Sequence, residues 1–266
     1  MLSDIEIAHA AKLKPISQLA HEIGLSDEEF DPYGRDKAKV KLSADKKPHG
    51  KLILVTATSG MPAGSGKTTT SIALAQGLMK LGRKSCLALR EPSLGPCFGM
   101  KGGAAGGGYS QVLPMESINL HFTGDFHAIT AANNLLAAII DNCRYRGEHD
   151  IKEVTWKRVL DVNDRQLRFI VTGLSSPVNG VPSETGFDIT AASELMAVLC
   201  LAKSEEDLRA RIDRMVVAIK RDGSPLTVKE IGCTGALMAL LLEARRPNLV
   251  QTLEGGPAFI HGGPFA

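Results

Sequence analysis

One segment constrains the fold of this chain more than any other: a short apolar run that leads into a glycine-rich loop and then a helix. Residues 52–55 have the continuous apolar character of a strand buried on both faces. The loop covers residues 61–70, and the helical pattern continues from about residue 67 to 81, where Gly82 ends it. Residues 85–89 are a second candidate for a buried strand. Strand, loop, helix and strand in this order predict a βαβ unit and therefore a parallel sheet.

The loop has the residues of a phosphate-binding cradle. Glycine lets successive N–H groups point at one centre, and the N-terminus of the following helix adds partial positive charge. Lys67 is placed to reach the β- and γ-phosphates of a nucleotide, and the Thr68 hydroxyl can bind Mg²⁺. An ordinary strand-to-helix turn is the alternative, since the strict pattern needs glycine where this chain has Met61. The predicted nucleotide-binding residues are Met61, Pro62, Ala63, Gly64, Ser65, Gly66, Lys67, Thr68, Thr69 and, from a later loop, Lys101.

Three further residues are candidates for the same site. Arg90 leaves the end of the second strand, where ligands bind in open parallel sheets, although a salt-bridged surface arginine is the alternative. Lys101 lies among the seven glycines of residues 95–108, which indicate a shaped binding loop, and a solvated lysine is its alternative. Asp125 opens a predicted helix, where it can orient a substrate amine or merely cap the helix. The spacing of His121 and His127 does not match a pair of metal ligands on a helix.

The rest of the chain is predicted to be mostly helical. Residues 3–24 contain a helix or two with a break at Pro15, and a short strand is expected within residues 38–42. We divide the chain into a helical lead-in, residues 1–50, and a P-loop nucleotide-binding domain, residues 51–266, incomplete at its C-terminus. Further helices are predicted at residues 125–143, 163–171, 188–202, 204–219 and 228–244, and a late strand at residues 248–253.

Composition excludes several classes of function. With 31 basic and 29 acidic residues, the net charge of +2 gives no basic field for nucleic acid. The five cysteines are odd in number and widely spaced, which argues against a disulfide framework or a zinc site and favours a reducing, cytoplasmic location. Neither a secretion signal nor an apolar run of about 20 residues is present, so no membrane association is expected.

Seven segments together resemble formate–tetrahydrofolate ligase in order and spacing. They include Asn-Leu-His-Phe-Thr-Gly-Asp at residues 119–125 and Glu-Thr-Gly-Phe-Asp at residues 184–188. The resemblance covers essentially the whole chain. The other segments are residues 61–70, 90–96, 101–109, 247–252 and 261–266.

The resemblance implies a reaction and its parts. Formate attacks the γ-phosphate of MgATP to give formyl phosphate, and N10 of tetrahydrofolate then takes the formyl group and releases phosphate. Lys67 and Thr68 match the family's phosphate-loop positions, Arg90 its formyl-phosphate arginine, and Asp125 an acidic position near the reacting amine. The catalytic residues are therefore expected to be Lys67, Arg90 and Asp125, with Thr68 on the magnesium ion. The family also forms homotetramers and responds to a monovalent cation, K⁺ or NH₄⁺.

This chain departs from the family's pattern in two ways. It has Ser59-Gly60-Met61 where a threonine–proline-rich lead is usual, and Ser65 where a glutamate is usual. It is also about half as long as the family's members and stops inside a family motif, which indicates a truncation, a split gene or a partial sequence. The alternatives to an active ligase are therefore a non-catalytic remnant, or a subunit that a separate C-terminal chain completes. A switch ATPase with a Lys-Thr-Thr-Thr loop is a further alternative, disfavoured by residues 90–96 and 101–109.

Overall fold

The computed structural model describes residues 2–41, 50–58, 64–98 and 105–263. These residues have a mixed α/β structure, so the predicted α/β class is confirmed. The chain divides into two compact units, and each is described by itself. The first unit comprises Met1–Thr123 and Arg246–His261, and the second comprises Gly124–Arg245 and Gly262–Ala266. The predicted boundary between residues 50 and 51 stays a prediction.

The helices and strands are numbered in chain order. The helices are α1 (Asp4–Ala10), α2 (Ile16–Glu22), α3 (Lys67–Lys80), α4 (Leu94–Cys97), α5 (Met115–Asn119), α6 (Asp125–Arg146), α7 (Glu194–Leu201), α8 (Glu205–Asp213), α9 (Val228–Ile231) and α10 (Thr234–Leu241). The strands are β1 (Phe30–Pro32), β2 (Ala38–Val40), β3 (Leu87–Arg90), β4 (Gly106–Gly107), β5 (Ser110–Leu113), β6 (Ile151–Val154), β7 (Arg158–Leu160), β8 (Ile170–Thr172), β9 (Ser183–Thr185), β10 (Phe187–Ile189), β11 (Val216–Lys220), β12 (Pro225–Thr227), β13 (Asn248–Thr252) and β14 (Pro257–His261).

The first unit is built around β13, all five residues of which are buried. Within the described ranges the sheet has seven strands, with the order β1-β2-β13-β14-β3, and β5 pairs both with β13 and with β4. Two apolar clusters cover it. One contains Ile72 of α3 and Val250 of β13, and the other contains Leu19 of α2 and Leu249 of β13. Since β13 alternates its side chains between the two clusters, it fixes the register of both layers.

The prediction of a parallel sheet is wrong for the described residues. Of the strands that the structure describes in the seven-stranded sheet, only β3 and β14 pair in parallel, while β13 runs antiparallel to β2, β5 and β14. The reason is topological. Strands from the first 40 residues pair with a strand from residues 248–252, and local sequence patterns carry no information about such distant partners.

The predicted strand at residues 52–55 is also wrong. Residues 51–57 have no strand structure, and the side chains of Leu52, Ile53 and Leu54 are 93%, 59% and 81% exposed. A strand exists only where a neighbouring strand takes up its N–H and C=O groups. Among the described residues, no strand pairs with this segment, and β3 at the edge of the seven-stranded sheet pairs with β14 alone.

The second unit has its own core around α6. Ile129, Leu136 and Ile140 of this helix are fully buried, and α6 packs closely against α10. Strand β11 pairs antiparallel with β6 and β12, β7 pairs in parallel with β10, and β8 and β9 form an antiparallel pair. None of the helices within the described ranges is long and apolar enough to cross a membrane.

Most of the other predicted elements are present. Pro15 separates α1 from α2, β2 lies within residues 38–42, Gly82 follows α3 with φ +73°, and α6 and β13 lie where they are predicted. The prediction of a helix at residues 163–171 is wrong, because Asp164 accepts a hydrogen bond from the backbone of Gln166 in a turn that precedes β8. The helix at residues 204–219 ends at residue 213, since the β-branched run of β11 joins a sheet instead.

Candidate active site

The glycine-rich loop enters α3 through two left-handed residues. Gly64 has φ +80° and Gly66 has φ +70°, values that side-chain-bearing residues rarely adopt. Gly66 is the N-cap residue of α3, and its carbonyl accepts from the backbone N–H of Thr70 at 2.9 Å. Since glycine has no side chain with which to cap the helix, its first-turn N–H groups face outward as an anion-binding surface. Met61, Pro62 and Ala63 lie outside the described residues.

The two residues predicted to act on phosphate and magnesium open this helix. Lys67 is exposed, and its ammonium donates to the Ser65 hydroxyl at 2.7 Å. Thr68 is half-buried in the first turn. The hydroxyl of Ser71 donates to the carbonyl of Lys67 at 2.8 Å and thereby fixes the backbone beneath the loop. The loop thus presents one cation and one hydroxyl at the positive end of a 14-residue helix.

Arg90 is the last residue of β3, next to a histidine at the end of the parallel strand β14. The Cα atoms of Arg90 and His261 are register partners, and the N–H of Glu91 donates to the carbonyl of His261 at 2.8 Å. Partial desolvation lowers the pKa of the Arg90 guanidinium from its usual value. A guanidinium stays charged under such a shift, so Arg90 provides a planar cation at a strand's carboxyl end.

The second half of the glycine-rich segment is held by residues that sequence analysis missed. The carboxylate of Asp4 accepts from the N–H of Gly108 at 2.8 Å. The buried amide of Gln111 donates to the carbonyls of Asp4 and Gly108, at 3.0 and 2.7 Å. Gly106 has φ +90°, and a Cβ there would lie 2.0 Å from the carbonyl oxygen of Ser110. Residues 106–108 are therefore anchored to α1 and packed tightly within the hairpin of β4 and β5. Lys101, earlier in the same segment, lies outside the described residues.

Asp125 belongs to the second unit, whereas Lys67 and Arg90 belong to the first. It is the first residue of α6 and is only 2% exposed. The N-cap position is held by Gly124, with φ +95°, so the carboxylate of Asp125 is not the helix cap. At this position the carboxylate lies in the first turn of α6, where the helix dipole favours a negatively charged side chain.

The chain matches one protein family over almost its entire length. The family model described as formate–tetrahydrofolate ligase covers residues 2–266. Curated proteins called formate–tetrahydrofolate ligase are similar to all of the chain: that of Methylobacterium sp. (strain 4-46) is 58% identical over 273 residues, and those of Dinoroseobacter shibae and Porphyromonas gingivalis are 57% identical over 272 residues. The match covers 49% of each of these relatives. The chain thus spans about half the length of the curated relatives it matches.

Proposed function

The chain belongs to the formate–tetrahydrofolate ligase family, and from that membership we propose that it carries the phosphate and formate half-site of this ligase. The proposed reaction joins formate to tetrahydrofolate at the expense of ATP and gives 10-formyltetrahydrofolate, ADP and phosphate. The observation that carries the proposal is the loop at residues 64–69, which presents Lys67 and Thr68 at the N-terminus of α3 through the left-handed Gly64 and Gly66.

The first chemical step needs positive charge around a transferring phosphoryl group. A formate oxygen attacks the γ-phosphorus, the bond to the β–γ bridging oxygen breaks, and ADP leaves with that electron pair. Lys67 neutralises charge on the β- and γ-phosphates, and Arg90 forks onto the equatorial oxygens and holds the resulting formyl phosphate. The contact between α3 and β3 within the first unit supports placing Lys67 and Arg90 at one site.

The second step transfers the formyl group to nitrogen. N10 of tetrahydrofolate attacks the formyl carbon, phosphate leaves with the electrons of the C–O bond, and N10 loses its proton. The Asp125 carboxylate would orient this amine and accept that proton. Its burial at the start of α6 supports the role, since a fixed anion positions an N–H group better than a solvated one.

The residues present fit a magnesium ion carried by ATP. Thr68 offers a hydroxyl oxygen in the first turn of α3, and Mg²⁺ takes few protein ligands because phosphate and water oxygens fill the rest of its shell. The bound ion would add charge neutralisation at the phosphates. Met61, Pro62, Ala63 and Lys101 remain proposed nucleotide contacts, as does a K⁺ or NH₄⁺ site. The nucleotide-binding role of the glycine-rich loop and the domain boundary after residue 50 remain proposals too.

A second candidate is a subunit that a separate C-terminal chain completes. The exposed side chains of Leu52, Ile53 and Leu54 favour it, because apolar surface of this kind marks contact with another chain or segment. In that case formate, tetrahydrofolate and ATP bind only in the complex of the two chains. For a chain that is sufficient alone, the proposed assembly is a homo-oligomer. A P-loop switch ATPase is less favoured, since the family match extends over residues 2–266.

One assay separates these functions. The purified chain is supplied with formate, MgATP and tetrahydrofolate, and 10-formyltetrahydrofolate and phosphate are measured with and without the C-terminal half of a relative. Turnover by the chain alone that disappears in Lys67→Ala supports a sufficient half-site. Turnover only after the C-terminal half is added supports the subunit. Phosphate release that needs neither formate nor tetrahydrofolate would contradict both and favour the switch ATPase.

A further inference from the structure

Three different metal-binding side chains come together at the C-terminal end of α6. Cys143 lies in the last turn of the helix and is buried, Glu148 is exposed, and His149 is half-buried. The Sγ of Cys143, a carboxylate oxygen of Glu148 and a ring nitrogen of His149 all lie within 4.8 Å of one another. We propose that this cluster binds one Zn²⁺ ion through these three atoms, with water in the fourth position.

The donor set decides which metal fits. Thiolate and imidazole select zinc over Mg²⁺ or Ca²⁺, which prefer all-oxygen shells. Donors around a tetrahedral zinc lie roughly 3.3–3.6 Å apart, so no pair of the three atoms needs to close by more than about 1.5 Å. Rotation of the surface side chains of Glu148 and His149 provides this movement, while Cys143 stays fixed in the core. The fourth position is open to solvent because Glu148 is exposed.

The backbone after α6 brings the three residues together. Gly147 ends the helix with φ +72°, and His149 and Asp150 also adopt left-handed conformations, with φ +60° and +48°. These values turn the chain back towards the last helical turn, so His149 lies close to Cys143, six residues before it. The carbonyl end of a 22-residue helix also carries partial negative charge, which favours a bound cation.

Two neighbouring features oppose metal binding. Arg146 approaches Glu148 at 3.8 Å, but this ion pair is exposed and contributes little. Burial, and then the Glu148 carboxylate, raises the pKa of the Cys143 thiol. Zinc binding therefore replaces the thiol proton, which passes to solvent as the Zn–S bond forms.

The test is zinc binding by the whole chain. Metal-free protein is titrated with Zn²⁺ against a chromogenic chelator, and Co²⁺ is added separately to record the thiolate-to-cobalt absorption in the near ultraviolet. We expect one equivalent of zinc in the unchanged chain. The variants Cys143→Ser, Glu148→Gln and His149→Asn should each bind at least about tenfold more weakly, and Cys143→Ser should lose the cobalt band.

Control variants distinguish the loss of zinc binding from the loss of the fold. Asparagine tolerates the left-handed backbone of residue 149, and Glu148 lies at the surface, so these two variants carry the test if Cys143→Ser unfolds. Cys86→Ser, and His127→Asn near the other end of α6, change the same residue types away from the cluster and should bind as the unchanged chain does. Equal zinc affinity in His149→Asn and His127→Asn, or no stoichiometric zinc in the folded chain, would overturn the proposal.

Discussion

The ammonium of Lys67 donates a hydrogen bond to the hydroxyl of Ser65, 2.7 Å away, across the glycine that caps α3. The cation is therefore held over its own loop, where a phosphate would replace the serine as its partner. Because the acceptor is a neutral, exposed hydroxyl, releasing Lys67 costs little. A carboxylate at position 65, as the family resemblance implies for other members, would hold the cation more tightly.

This relationship leads to a binding prediction. Lys67→Ala should weaken binding of MgATP by about tenfold to a hundredfold, because it removes a charge-assisted hydrogen bond to phosphate. Ser65→Ala should change the affinity by less than about threefold, since it only frees the lysine. Isothermal titration calorimetry measures both, and Lys80→Ala, at the other end of α3, is the matched control. A large loss in Ser65→Ala would mean that the serine itself contacts the nucleotide.

A second prediction asks whether turnover needs the planar, forked guanidinium of Arg90 or only its positive charge. Arg90→Lys keeps the charge at the end of β3 but loses the planar pair of donors, so we expect kcat to fall about 100-fold with little change in KM for ATP. Initial rates are measured in whichever form turns over, the chain alone or the chain with a C-terminal half. Arg83→Lys, in the exposed turn before β3, is the control. A shift in KM alone would indicate that Arg90 binds ground-state nucleotide.

Alanine substitutions at two glycines should have opposite effects on stability. A Cβ at Gly106, where φ is +90°, would lie 2.0 Å from the Ser110 oxygen and 2.7 Å from Cδ1 of Ile72, so Gly106→Ala should lower the free energy of unfolding by about 2–4 kcal/mol. Gly77 lies within α3 with open space around it, so Gly77→Ala should raise that free energy by about 0.5–1 kcal/mol. Urea unfolding followed by circular dichroism gives both values. Equal effects would show that the hairpin of β4 and β5 yields to the added methyl group.

The last prediction concerns pH. Lys220, 2.5 Å away, and then the backbone and hydroxyl of Thr227 lower the pKa of Glu230 from 4.5 to about 2. A carboxylate with a depressed pKa stabilises the fold above its unfolded pKa, and that contribution disappears as the pH falls through the folded value. The unchanged chain should therefore be more stable than Glu230→Gln at pH 7. The difference in free energy of unfolding between the two should disappear between about pH 4.5 and 2. Urea midpoints across this range measure it, and Lys220→Met should flatten the dependence.

Local structure was largely predictable from the sequence. Glycine at positions 64, 66 and 82 marks left-handed backbone, and α3 and α6 begin at Lys67 and Asp125, where the sequence predicts their starts. These features depend on neighbours in the chain. The candidate residues Lys67 and Thr68 follow from them, because a glycine turn before a helix fixes where the first helical side chains lie.

What could not be predicted depends on distant partners. The antiparallel neighbours of β13 come from residues 38–40 and 110–113, far away in sequence. Asp4 and Gln111, which anchor the glycine-rich segment, have the ordinary appearance of a helix-start acid and a strand residue. Their function in the loop arises only when α1 approaches Gly108. The same holds for Cys143 and His149, whose spacing matches no metal motif and which a left-handed turn brings together.

The discontinuous composition of the first unit has a consequence for synthesis. Its central strand, β13, is translated after the whole of Gly124–Arg245, so the first 123 residues leave the ribosome without the strand around which they assemble. The second unit is a continuous stretch apart from its last residues and can fold during that interval. Until β13 has been synthesised, β2 lacks the strand that pairs with it on the side away from β1, so completion of the first unit depends on residues made after the second.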